Sequence, residues 1–117
     1  MRVVQTILSI TALLALSAGH ALAGWAIGNV TYLNAKEVNG RAVAQVAVAN
    51  HQVPCPGGNG FAFVIDTPVG RAQYATLLAA WHAGTWVGIS GGEQCGLILP
   101  GAENVSHVDV ATGCCGR

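Results

Sequence analysis

What this sequence has least of is charge. Lys and Arg number five, Asp and Glu five, and together they make up 9% of the chain, where an ordinary soluble domain carries about a quarter. The cations are scattered, so there is no basic stripe to follow a phosphate backbone, and a nucleic-acid partner is not expected. A chain this neutral presents an uncharged binding face or has part of its surface covered by a partner. An Ala/Gly/Val-rich composition is the plainer explanation.

Reactive motifs are missing too. No G-x-S-x-G elbow surrounds Ser90 or Ser106, and no C-x-x-C or H-x-x-x-H spacing relates the cysteines to His51, His82 or His107. The glycines of Gly57 to Gly60 lead into a strand-like run and lack the Lys-Ser/Thr pair of a phosphate loop. The carboxylates are dispersed, so no acid/base pair follows from spacing. No catalytic residue, cofactor or metal is expected, and the protein is read as a binder, not an enzyme.

The third scarcity is of long apolar runs. The only one, Val3 to Leu16 behind Arg2, is short for a membrane span and leads to Ala21-Leu22-Ala23. A positive start, an apolar centre and a small-x-small end describe a signal peptide, residues 1–23, with Gly24 as the first mature residue. No cysteine stands there to take a lipid. The expectation is a secreted or periplasmic chain of one domain, residues 24–117, with no membrane span after cleavage.

All four cysteines lie beyond that bond, and in an oxidising compartment an even count favours disulfides. Cys55 with Cys95 is the preferred pair, each in a loop at one end of a strand-helix-strand unit. Closing that loop contributes about 4 kcal/mol on the chain-entropy model. Cys114 and Cys115 are adjacent, and their pairing stays open.

Periodicity supplies the elements. Trp25 to Leu33 is β-branched and aromatic, with strand one in its second half; Asn34 to Val38 is polar, and Asn39-Gly40 marks a hairpin. Strand two, Arg41 to Ala49, sets Ala44, Val46 and Val48 on one face and Val43, Gln45 and Ala47 on the other. So apolar a strand belongs in a closed or doubly covered sheet. Asn50 to Gly60 reads as loop, Phe61 to Asp66 as strand three, and Thr85 to Ser90 as strand four. A turn at Gly91 to Gln94 and strand five at Asn104 to Val110 complete the chain.

Between strands three and four a helix opens at Asp66-Thr67-Pro68 and stops at Gly84. Tyr74, Leu77, Leu78 and Trp81 form its apolar stripe, which places Trp81 in the core. The far side carries Ala75, Thr76, Ala79, Ala80 and Ala83 where a solvated helix would show Lys and Glu. Small residues let another helix approach, so these five are the expected oligomer interface, although alanine is also the best helix former. The element order is that of an OB-fold-like five-stranded Greek-key barrel, mainly β, with its helix between strands three and four. Trp86 either closes one end of such a barrel or meets a ligand.

From Phe61 to Cys95, with Tyr74, Ala80, Gly84, Val87 and Ile89 in order, the chain resembles the OB-fold B subunits of bacterial AB5 toxins, those of subtilase cytotoxin and typhoid toxin. The resemblance implies a homopentameric ring with helices lining a channel, a glycan or protein receptor as ligand, and a catalytic A subunit as further partner. That family's glycan site uses a serine and an aromatic near the start of strand one. Here the segment reads Ile27-Gly28-Asn29-Val30-Thr31-Tyr32, and no serine matches, so sialic-acid recognition does not carry over. Asn29, Thr31, Tyr32 and Trp86 are the candidate ligand-binding residues. The rival expectation is a monomeric periplasmic or secreted OB-like protein that binds or inhibits another protein.

Overall fold

The computed structural model describes residues 23–110. The expected leader up to residue 22 and the Cys114–Cys115 pair lie outside the described residues. Within them the chain is mainly β, with one helix: β1 (Trp25–Val38), β2 (Arg41–Gln52), β3 (Phe61–Val64), α1 (Pro68–Ala83), β4 (Val87–Cys95) and β5 (Glu103–Val110). The pairings run β1-β2-β3-β5-β4 and return to β1, so the sheet closes into a ring. All are antiparallel except β3 with β5.

The hairpin expected at Asn39-Gly40 forms there. Both residues have positive φ, 51° and 79°, as a two-residue turn matched to strand twist requires, and Val38 pairs with Arg41. The strands run further than local composition indicates. Polar Asn34 to Val38 belongs to β1 because Gln45 to Arg41 pairs with it residue for residue. Asn50 to Gln52, expected as loop, extends β2 because it pairs with Ile27 to Trp25. Gly91 to Gln94, expected as a turn, lies within β4. β3 is shorter than expected and ends at Val64, and β5 starts at Glu103. The longer β1 and β2 share one cause: a backbone with a partner across the sheet stays extended whatever its side chains prefer locally.

Ala44, Val46 and Val48 face inward, as their alternation requires, and meet Val30, Phe61, Phe63, Leu77, Val87 and Ile89 in the main core. The opposite face of β2 is covered at one end, where Val43 joins Ala62 and Ala102 beneath Ile98 and Leu99. The apolar run on both faces is thus explained by burial on both faces. The Cys55–Cys95 disulfide forms, with the two Cα atoms 5.4 Å apart.

The helix starts and stops as its caps dictate. Gly70 N–H donates to Thr67 Oγ1 at 3.0 Å, Pro68 occupies the first turn, and Gly84 takes the left-handed conformation at φ 65°. Only part of the expected stripe is buried. Gly70, Leu77 and Ala80 are buried and Tyr74 packs at the core edge, but Leu78 and Trp81 are 39% and 45% exposed. A Cβ on Gly70 would collide with the Val64 carbonyl. The helix therefore approaches the sheet closely at Gly70, with Leu77 and Ala80 buried; Leu78 flanks that face, and Trp81, on the same side as Gly70 and Leu77, lies in the last turn. Trp81 is a surface residue.

Candidate ligand-binding cleft

Two bulges shape β1 where it carries the candidate ligand residues. Ile27 pairs with Asn50, Val30 with Val48 and Tyr32 with Ala47, so β1 spends one extra residue in each interval. Gly28 sits in the first, at φ 137°, which a side chain rarely adopts. Thr31 is the extra residue of the second. Strict alternation would send Tyr32 inward after outward Thr31; the bulge instead leaves both exposed.

Tyr32 consequently stands as one wall of a cleft of about 330 Å³, facing Gln45, Ala47, His51, Asn59 and Phe61. Hydrogen bonds fix these groups. Asn34 Nδ2 donates to the Tyr32 hydroxyl at 2.7 Å, while Asn34 Oδ1 is buried with no hydrogen-bond partner among the described residues. Gln45 Nε2 donates to the Asn59 carbonyl at 2.9 Å and Gln45 Oε1 accepts from Lys36 Nζ at 3.1 Å. The Asn59 loop is clamped in turn: its backbone N–H donates to the Gly101 carbonyl and its Nδ2 to the Pro100 carbonyl, both at 2.9 Å. His51 Nδ1 lies 2.7 Å from the Val48 carbonyl. In the neutral ring that contact places the proton on Nδ1 and leaves Nε2 an acceptor. No Asp, Glu, Lys or Arg lines the cleft.

The other candidates are placed around it. Thr31 is exposed beside Tyr32. Val87 pairs with Gly28, so Trp86, 37% exposed, stands at the end of that ladder near Asn29, on the β4 side of β1. Neither Asn29 nor Trp86 lines the cleft that Tyr32 borders. Gln45, His51 and Asn59 were not foreseen. The alternation of β2 turns Gln45 and Ala47 to the outer face, which is a usable signal. Nothing local marks His51 or Asn59, which reach the cleft through long-range pairing and a loop clamp.

On the helix, Ala75, Ala79 and Ala83 are exposed, and Thr76 is half-buried, its hydroxyl donating to the Ala72 carbonyl at 2.8 Å. Ala80 is corrected: at 3% exposure it belongs to the core. Leu78, Trp81 and His82 border a shallow depression nearby.

One trio mimics catalytic machinery. Ser90 pairs with His107 across β4 and β5, Ser90 Oγ lies 3.1 Å from His107 Nε2, and Asp109 Oδ2 lies 3.5 Å from the same nitrogen. A relay needs the carboxylate on Nδ1 and the nucleophile on Nε2. Here both address Nε2, and the side chains of His107 and Asp109 are more than half exposed. Among the described residues no cluster of three His, Cys, Asp or Glu side chains is arranged to hold a metal ion. No protein-family model, curated protein or solved structure matches the chain.

Proposed function

We propose that this protein is a secreted, oligomeric binding subunit of OB type that recognises cell-surface glycans through the Tyr32 cleft. The observation that carries the reading is an exposed aromatic ring facing an uncharged set of fixed amide and imidazole groups. The C–H face of a sugar ring stacks on an aromatic side chain, while its hydroxyls need donors and acceptors held in place. Gln45, the Asn59 loop and His51 supply them. A carboxylated sugar would call for Arg or Lys in the wall, so neutral sugars are the better fit.

The strand order, with the helix between β3 and β4, supports the OB assignment. The uncharged outer helix face, Ala75, Ala79 and Ala83 beside Leu78 and Trp81, supports assembly into a homopentamer. A shallow single site binds weakly, and several on one ring gain avidity together. A catalytic A subunit would be the cargo of such a ring.

A glycan array tests the reading. The oxidised, exported protein should bind neutral glycans, and Tyr32→Ala should abolish that binding with little change in melting temperature, since Tyr32 lies outside the main core. Native mass spectrometry tests assembly: the wild type should be a ring and Ala79→Glu a folded monomer. The exposed Leu78–Trp81 patch favours a second reading, a monomer that binds or inhibits another protein. A wild-type monomer with no glycan binding would select it.

A further inference from the structure

Glu103 is the one fully buried charged residue among the described residues, at 0% exposure. Both of its carboxylate oxygens accept from a single atom, the Gly24 nitrogen, at 2.9 and 3.0 Å. The ion pairs among the described residues, Arg41–Asp66 and His107–Asp109, do not involve it. A peptide N–H has one proton to share between two acceptors and no charge to offer a buried acid. An α-ammonium has three protons and a full positive charge, and so suits both oxygens at once.

We infer that the Gly24 nitrogen is a free α-ammonium in the working protein and that it forms a buried ion pair with Glu103. The inference rests on the export half of the function proposed above and not on glycan binding or ring assembly. Water, with a signal peptidase as catalyst, cleaves the Ala23–Gly24 amide; the new carboxylate departs on Ala23 and the amine stays on Gly24, protonated. Two unrelated observations select this bond. The small-x-small pattern Ala21-Leu22-Ala23 ends there, and Gly24 is the first buried residue among those described, with Ala23 exposed ahead of it.

The surroundings are built for a small, well-held terminus. A Cβ on Gly24 or on Gly91 would overlap the Glu103 carboxylate, so glycine is required at both positions to leave it room. Gly91 N–H donates to the Gly24 carbonyl at 2.8 Å, tying the first residue to β4. Glu103 N–H donates to the Gly60 carbonyl at 3.0 Å and Glu103 pairs with Phe61, a cleft residue, so the pair also backs the proposed binding site. Before cleavage the acid faces only a neutral amide. The precursor is then less stable than the mature protein, which suits a chain that must cross a membrane unfolded.

Intact mass of the exported protein should show Gly24 as its first residue. A variant released with one extra alanine ahead of Gly24 should melt more than about 10 °C lower, because it removes the charged partner of a buried acid. Glu103→Gln should cost as much in the Gly24-first chain and little more in the extended one. Acylation gives a readout that packing alone would not move. A free α-amine ordinarily reacts ahead of a lysine near neutral pH, whereas the paired one should react more slowly than exposed Lys36, even if Glu103→Gln fails to fold. An unchanged melting temperature in the extended chain, additive losses, or an α-amine faster than Lys36 would overturn the pair while leaving export standing. A chain that keeps its leader would overturn both.

Discussion

The two halves of the β1–β2 hairpin follow opposite rules. From Leu33 to the Asn39-Gly40 turn, β1 and β2 pair without interruption, and Asn34 and Lys36 brace Tyr32 and Gln45 from the side. From Trp25 to Tyr32 the same two strands accommodate two extra residues, with a left-handed glycine in one bulge and two consecutive outward side chains at the other. The regular half closes the hairpin. The bulged half puts Tyr32 at a cleft and backs onto β4 on its other side. β4 is also irregular, between Ser90 and Cys95, but only the β1 bulges re-aim a side chain that lines the cleft.

The largest effect expected from breaking the irregular half comes from its covalent tie. Cys55 ends the run from Val53 that passes the cleft, and Cys95 anchors it to the end of β4. Replacing both with serine should lower unfolding free energy by about 4 kcal/mol, read from urea denaturation. Glycan binding should fall with it, because the Asn59 loop loses its anchor. Next in size is Gly28→Ala. A Cβ would meet neighbours only at ordinary contact distances, the nearest 3.4 Å away, so the cost is the backbone at φ 137°. That strain should amount to about 1–3 kcal/mol, and its relief should shift the Asn29–Tyr32 segment and weaken binding.

Gly40→Ala is the matched control in the regular half. Nothing lies within 4 Å of the added Cβ, so only the left-handed backbone resists it, at about 1 kcal/mol. Binding should be unchanged. A Gly40→Ala protein that loses glycan affinity, or a Gly28→Ala protein that keeps it, would dissolve the division between the halves.

The same division governs what could be read from the sequence. Asn39-Gly40, the Thr67-Pro68 opening and the Gly84 stop act through local backbone preference, and all three stand where local rules put them. The Cys55–Cys95 bridge followed from where the loops fall. The strand ends, the exposure of Trp81 and most of the cleft are not legible in the local sequence. Asn50 to Gln52 is extended only because a distant strand pairs with it, while Gly91 to Gln94 joins β4 as an irregular stretch with Glu93 at φ 70°. Trp81 shares the face of buried Gly70 and Leu77 but falls in the last turn of α1, and periodicity alone does not register that position. Side-chain alternation cannot register an inserted residue, so it cannot say that Tyr32 turns outward.

The smallest expected effect belongs to the regular half, where β2 is tied to the helix opening at the surface. Arg41 donates from Nε and Nη2 to the two carboxylate oxygens of Asp66, at 3.0 and 2.7 Å. These hydrogen bonds, then the charge of Arg41, hold the Asp66 carboxyl below its ordinary value, and the same pair raises Arg41. A lowered carboxylate value means that the folded chain binds fewer protons than the unfolded one as pH falls through the usual carboxylate range. The stabilisation is therefore complete above that range and is lost as pH drops through the folded value of Asp66. It also fades with added salt, because both partners are exposed. Asp66→Asn should flatten this acid limb of the melting curve, leave stability at neutral pH and high salt nearly unchanged, and have no effect on the Tyr32 cleft. Loss of glycan binding in Asp66→Asn would mean that the regular end positions the cleft after all, through β2 and Gln45.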